Sequence, residues 1–316
     1  MSVSGLGAFS HVTVGVASLD QALGFWVENF GLMVRDRREG PDAGLAALWG
    51  IEPARISRQA IVATPTAAAD RAAVGAMHLV EFRDPLPAVR LGARPFDLLP
   101  KNLDLYTTDM PARYAELEAA GHQFRARWAE MAAGQHRFRE VQMQAHDAIN
   151  LVLIEAIGPG YATAMSPRGY AGVGPLVTIV PDIGIETVFW RDVLGMSTTL
   201  ELELDGPVIE RTVGLPAGAA LRLRVFGDPA EALGRIEIIE YQQVHGENRY
   251  PQARPPATGI LHANWQIPDL EPIRARLRDA KLPFAEHGTV GALYGSGPVL
   301  SFFSPAGFRV EVQGRN

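Results

Sequence analysis

The 316-residue chain carries eight histidines and 35 acidic side chains but no cysteine. Disulfides, thiolate zinc sites and cysteine nucleophiles are thereby excluded, and any bound metal ion would have to rest on His, Asp or Glu. Two of the histidines open strand-like segments: His11 in HVTVGV and His262 in LHANWQ. A lone histidine at a strand start is more often a satisfied structural group. A histidine that recurs at corresponding places in a repeated unit is a different matter, because imidazole is a common ligand for divalent ions. Whether such a repeat exists is therefore the first question.

It does. Residues 22–33 read ALGFWVENFGLM and residues 186–196 read ETVFWRDVLGM; residues 109–124 read DMPARYAELEAAGHQF and residues 269–284 read DLEPIRARLRDAKLPF. The chain is thus a duplicated half of roughly 160 residues. Each half contains a further pair, since four strands, HVTVGV, NLDLYT, PLVTIV and LHANWQ, each precede a helical pattern. Ser18, Asp109, Asp182 and Asp269 stand where N-caps are needed, and Gly31, Gly121 and Gly195 stand where three of the helices must end, with Lys281 at that place in the fourth. Leu19, Leu23, Trp26, Val27 and Phe30 recur at helical spacing, so the Phe25-Trp26 and Phe189-Trp190 pairs read as core. Strand-like runs follow each helix: RQAIVAT and AMHLVEF; HRFREVQMQ and NLVLIE; VIERTVGL, ALRLRVF and RIEIIEY; VLSFF and FRVEVQ. Each unit reads β-α-β-β-β. The organisation expected is an N-terminal domain over 1–158 (modules 1–99 and 100–158), a Gly- and Pro-rich linker over 159–174, and a C-terminal domain over 175–316 (modules 175–258 and 259–316).

Four βαβββ units, with histidine opening the first strand of two of them, resemble the vicinal-oxygen-chelate superfamily of glyoxalases, bleomycin-resistance proteins and extradiol dioxygenases. The SPAGFRVEV segment from Ser304 is similar to that family's final turn and strand. The resemblance covers almost the whole chain. It implies an α+β fold in which four modules form two cup-shaped, partly closed mixed β-sheet barrels. It also implies metal ligands from the first residue of strand one and the acidic residue of strand four in two paired modules. Carried over residue by residue, the first strands present His11, Asn102, Pro175 and His262, and the last strands His78, Leu153, Glu237 and Glu311. If module one pairs with module four, one cup gathers His11, His78, His262 and Glu311, while the other holds Asn102, Leu153, Pro175 and Glu237. If modules pair in sequence, the C-terminal cup keeps Glu237, His262 and Glu311. The first arrangement is preferred because it leaves no orphan imidazole in a cavity. Strand alternation puts Thr13 with His11, Asn264 and Gln266 with His262, and Arg309 and Gln313 with Glu311. Glu237 is expected to face solvent or an arginine, Glu81 and Glu240 to face away from the cup, and Arg35 to Glu39 to form a solvated strand end.

The resemblance implies one divalent ion (Fe, Mn, Ni, Co or Zn) on His11, His78, His262 and Glu311, with Glu311 and His78 as the catalytic groups. Four protein ligands would leave two adjacent positions for vicinal substrate oxygens, which suits enediolate stabilisation by an isomerase or lyase of glyoxalase or epimerase type. The alternative is an Fe(II) ring-cleaving dioxygenase using only His11, His262 and Glu311. Against it, Ser301 stands where the extradiol pattern has tyrosine, and Pro175 where it has histidine. A third reading is a metal-free small-molecule binder of the resistance type. A net charge of -6 with both signs scattered makes nucleic acid an unlikely partner, and no apolar run is long enough to span a membrane. The start of the chain, Met1 to Ala8, lacks the pattern of a signal peptide. A cytoplasmic monomer or homodimer acting on a small molecule is the expectation.

Overall fold

The computed structural model describes residues 5–65, 74–133, 135–158 and 163–315. Module one contributes β1 (His11–Val16), α1 (Leu19–Leu23), β2 (Met33–Glu39), α2 (Ala43–Trp49), β3 (Ile56–Ala63) and β4 (Ala76–Phe82). Module two contributes β5 (Pro100–Thr107), α3 (Met110–Ala119), β6 (Ala129–Ala133), β7 (His136–Gln144) and β8 (Asn150–Ala156). Module three contributes β9 (Tyr170–Ile179), α4 (Ile183–Thr187), β10 (Ser197–Leu204), α5 (Pro207–Val213), β11 (Ala220–Gly227) and β12 (Arg235–Gln242). Module four contributes β13 (Gly259–Ile267), α6 (Glu271–Asp279), β14 (Phe284–Ala292), β15 (Gly295–Phe303) and β16 (Arg309–Gly314). Strand β9 therefore begins at Tyr170, inside the segment read as a linker, whose residues 159–162 lie outside the described ones.

The strands form two eight-stranded mixed sheets. One runs β14-β15-β16-β13-β1-β4-β3-β2 and the other β10-β11-β12-β9-β5-β8-β7-β6. The first joins modules one and four through antiparallel β1 and β13, with His11 opposite Asn264 and Thr13 opposite His262. The second joins modules two and three through antiparallel β5 and β9. The fold is α+β, with two curled half-barrels.

Alternation along the strands separates the two faces of each sheet. In the first sheet, Val12, Val14, Met77, Leu79, Ala263, Trp265, Val310 and Val312 join the main core with Leu19, Ala22, Leu23 and Trp26 of the first helix. The residues between them, His11, Thr13, His78, His262, Asn264 and Glu311, face the concave side. Both α1 and α4 continue into a π-helical turn, Gly24–Asn29 and Val188–Val193, which carries the Phe-Trp pair. Trp26 and Trp190 are fully buried there, as the repeat predicts.

Helix starts follow a shared device. Ser18, Asp109 and Asp182 cap their helices as expected. The fourth differs, because the N-cap of α6 is Leu270 and Asp269 instead accepts from Glu271 N–H at 2.9 Å. Glu81, Glu155 and Glu240 reach from the module's last strand to accept from the first N–H groups of α1, α3 and α4. Those carboxylates point away from the cups. Gly31, Gly121, Gly195 and Lys281 all have positive φ, so the left-handed helix ends are where the repeat puts them, and Lys281 accepts that conformation despite its Cβ.

The run VIERTVGL is helix α5, not a strand. Pro207 leads the helix, Gly214 closes it in the left-handed region, and Ile209, Thr212 and Val213 bury one side at helical spacing. The expected strand of that module is β10, just upstream. Helix α5 follows edge strand β10 and packs on β6 and β7 at the opposite edge; α2 follows edge strand β2 and packs on β14. One short helix thus bridges the edges of each sheet and closes each cup.

Glu186 of α4 ties the two sheets together. It is 1% exposed. Its carboxylate accepts from Trp190 Nε1 at 3.0 Å, from Ser304 Oγ at 2.9 Å and from Ala306 N–H at 2.5 Å. Replacing it with alanine leaves three buried donors unsatisfied, and we expect a loss of about 3 kcal/mol or more of stability. Urea unfolding of Glu186→Ala checks this, and an unchanged midpoint at unchanged slope would contradict the role given to Glu186.

Candidate active site

The first cup brings together the four residues singled out in the sequence. His11 and His262 lie on the adjacent strands β1 and β13, His78 on β4 beside Thr13, and Glu311 on β16 beside Asn264. All four are at most 2% exposed. The His11 and His78 rings meet edge to face with centroids 5.7 Å apart, and His262 Nε2 lies 3.3 Å from Glu311 Oε2.

The hydrogen bonds around them fix which atoms remain available. Ser10 Oγ donates to Asn264 O at 2.8 Å, so it accepts from His11 Nδ1 at 2.9 Å. His11 is then the Nδ1–H tautomer and its Nε2 bears a lone pair. Gln59 Nε2 donates to Asp42 Oδ2 at 3.1 Å, which turns Gln59 Oε1 toward His78 Nε2 at 2.9 Å. His78 is therefore the Nε2–H tautomer with a lone pair on Nδ1. Asp42 is itself anchored as the N-cap of α2 and by Arg38 at 2.6 Å. Glu311 Oε1 accepts from Trp49 Nε1 at 3.1 Å and from Arg309 Nε at 2.8 Å. Its Oε2 accepts no hydrogen bond.

Five buried atoms are left without hydrogen-bond partners: His11 Nε2, His78 Nδ1, both ring nitrogens of His262, and Glu311 Oε2. Buried polar atoms are nearly always paired, so this concentration is costly unless something else satisfies it. Three lone-pair-bearing imidazoles and a carboxylate oxygen, each oriented by a neighbour or by a facing side chain, form a donor set that fits a divalent ion. Among the described residues, however, no group of three or more His, Asp or Glu side chains is already arranged to hold an ion. The side chains form two pairs instead. The Tyr294 ring lies against His11 at 4.1 Å and His78 at 5.2 Å, while His262 faces Glu311 and the Trp49 ring.

Electrostatics keeps His11, His78 and Glu311 in metal-binding protonation states. Burial, aided by His78 and His262, holds the His11 pKa well below its usual value. Burial and His262 likewise lower His78 to about 3. Burial opposes ionisation of Glu311, yet His262 and Arg309 outweigh it and hold the carboxyl at about 2. Neutral imidazoles and an ionised carboxylate are the forms that bind cations.

Several residues here carried no signal in sequence. Trp49 belongs to α2, an element absent from the sequence reading. Tyr294 and Leu293 form the tip of the β14–β15 hairpin and pack across the cup against Ile61, Ala63 and Ala76 of module one. Gln59 and Asp42 act on His78 through a fold-level contact that no spacing reveals.

The second cup needs two corrections. Parallel pairing of β5 with β8 sets Asp104 beside Val152, so Val152 faces this cup and Leu153 lies in the main core behind the sheet. Glu237 is only partly exposed and pairs with no arginine among the described residues. It lines a cavity of about 190 Å³ together with Asn102, Asp104, Glu140 and Pro175.

Comparison with solved structures agrees with this architecture. Over 98% of this chain and 86% of the other, it superposes on a protein of Bacillus subtilis subsp. subtilis str. 168 described as a "putative dioxygenase", with a TM-score of 0.64 at 11% identity. Glyoxalase I from Zea mays matches 97% of this chain and 92% of its own, with a TM-score of 0.62 at 14% identity. The chain has the vicinal-oxygen-chelate fold. No family model and no curated sequence matches it. Among the described residues, no helix is long and apolar enough to cross a membrane.

The tautomers are directly measurable. Long-range ¹H–¹⁵N spectra of the metal-free protein should show His11 protonated at Nδ1 and His78 at Nε2. Gln59→Leu should abolish the preference at His78 and leave that at His11. The opposite tautomer at either ring would contradict the hydrogen-bond assignment.

Proposed function

We propose that this protein is a metal-dependent enzyme acting on a small oxygen-rich substrate, with His11, His78, His262 and Glu311 holding one divalent ion. The observation that carries the proposal is the set of buried donor atoms without hydrogen bonds that these four side chains present in the first cup. A divalent ion bound there would supply Lewis acidity to two vicinal oxygens of the substrate. The chain's own groups do the rest. Ser10 and Gln59 hold the two imidazole tautomers, so that neither ring must exchange a proton on loading. Trp49 and Arg309 fix Oε1 of Glu311, so Oε2 would be the oxygen that holds the ion and, once released from it, would accept a proton from the carbon next to a substrate carbonyl. The hairpin tip with Tyr294 covers the His11–His78 side and excludes water there. This arrangement favours redox-neutral isomerase or lyase chemistry, in which all four side chains are ligands.

Elemental analysis after reconstitution should give about one metal ion per chain, since only the first cup carries the donor set. His262→Ala and Glu311→Ala should abolish binding, and Glu237→Ala should leave it intact. Two equivalent ions per chain, or none, would reject the assignment.

Reaction type follows from how many ligands the chain provides. With His78 bound, turnover of α-hydroxycarbonyl substrates should be indifferent to air and should survive exchange among Ni(II), Co(II) and Mn(II). Strict dependence on Fe(II) and oxygen with catechol substrates would instead assign the ring-cleaving reaction, with His11, His262 and Glu311 as the only ligands. An aromatic ligand bound by metal-free protein, with no turnover under any metal, would favour a binding protein.

A further inference from the structure

The second cup repeats the fold of the first but is furnished with different chemistry. Its walls are apolar, built from Phe138, Val152, Leu202, Leu223, Val225 and Ile239 among others. Asp104 of β5, Glu140 of β7 and Glu237 of β12 project into the same cavity. Asp104 is 3% exposed, and its only hydrogen bond among the described residues comes from Asn102, which leaves Oδ2 bare. Glu140 accepts from Gln142 at 2.9 Å. The Glu237 carboxyl, partly exposed, has neither a hydrogen bond nor an ion pair among the described residues. The buried cation nearby, Lys101, donates to the Tyr241 hydroxyl. At the rim, Arg235 is held by Glu231 O. His136 and Tyr106 are the remaining titratable side chains of the lining.

From this arrangement we infer that the second cup is a binding site for a small organic amine with an apolar body, its ammonium group seated between Asp104 and Glu237. Three observations converge. Asp104 Oδ2 and the Glu237 carboxyl line a mostly apolar cavity without a hydrogen-bond partner among the described residues, and a cation would satisfy them. The walls are mostly apolar, which suits the hydrocarbon body of an organic amine better than a bare, hydrated metal ion. The cavity of about 190 Å³ is smaller than a drug-sized site, which limits the ligand to one ring or a short branched chain. Burial and mutual repulsion push the Glu237 carboxyl up to about 8 and raise that of Asp104, the strain that an arriving ammonium relieves. The site is separate from the metal cup and does not rest on the metal reading.

The test uses the full chain and three probes of one shape: benzylamine, benzyl alcohol and benzoate, titrated calorimetrically at pH 8. Benzylamine should bind about tenfold tighter than benzyl alcohol, a difference of about 1.4 kcal/mol, and benzoate should not bind measurably. Glu237→Gln should remove the tenfold preference while leaving metal content unchanged, and Val225→Trp, which fills the cavity, should abolish binding of both ligands. Asp104→Asn gives an independent reading of the carboxylate pair if one variant folds poorly. Equal affinity for amine and alcohol, a preference for benzoate, or an unaltered preference in a folded Glu237→Gln protein would overturn the inference.

Discussion

The antiparallel pairing of β1 with β13 is the interaction on which the rest of the site depends. It joins strands from opposite ends of the chain, with His11 opposite Asn264 and Thr13 opposite His262. Because side chains alternate with a period of two, a one-residue slip would send both histidines into the apolar core and Val12 and Ala263 into the cup. Register is therefore enforced by the hydrophobic residues behind the sheet, not by the polar ones in front. The parallel partners β4 and β16 inherit that register, which is how His78 and Glu311 come to the same cavity. The order of modules along the chain matters less than which first strands pair. Loop closure costs grow only slowly with length, so a join across most of the chain is affordable once buried area supports it.

Within the cup, the supporting groups follow one rule: each functional side chain with two polar atoms has one tied and the other bare. Ser10 ties His11, Gln59 ties His78, and Trp49 with Arg309 ties Glu311. His262 is the exception, with no hydrogen bond to either nitrogen and only the facing Glu311 and Trp49 to orient it. That asymmetry makes His262 the ring most dependent on its neighbours for orientation. It also explains why α2 matters beyond closing the barrel, since it contributes Trp49 to Glu311 and, through its N-cap Asp42, the anchor for Gln59.

Much of this was legible in sequence because repetition amplifies weak signals. The Phe-Trp pairs, the left-handed helix ends and three of the four N-caps could be placed by comparing one module with another. Features that are not repeated were not legible. The α5 segment is rich in β-branched residues that suit a strand, and its helical character depends on Pro207, Gly214 and the edges it bridges. Leu153 and Val152 are both apolar, so neither composition nor alternation could say which faced the cup; only pairing of β8 with β5 decides. Asp269 looks like its three counterparts, but the chain enters α6 one residue later. Glu237 was expected to face solvent or an arginine, and nothing in its own stretch of sequence signals the cavity that it lines.

The two cups show how few changes separate opposite electrostatic outcomes on one backbone. At the positions of His11, His262 and Glu311 the second cup has Pro175, Asn102 and Val152, while the position of His78 holds Glu237. Removing three donors leaves the remaining carboxyl without the His262 and Arg309 contacts that hold Glu311 ionised. Desolvation then raises the carboxyl pKa of the partly exposed Glu237 but fails to do so at the more buried Glu311. Desolvation acts on both; the local partner decides the sign. A duplicated fold can thus keep its strand register and core unchanged while one cavity presents fixed negative charge beside imidazoles, and its twin presents carboxyl groups that ionise fully only when a positive group arrives.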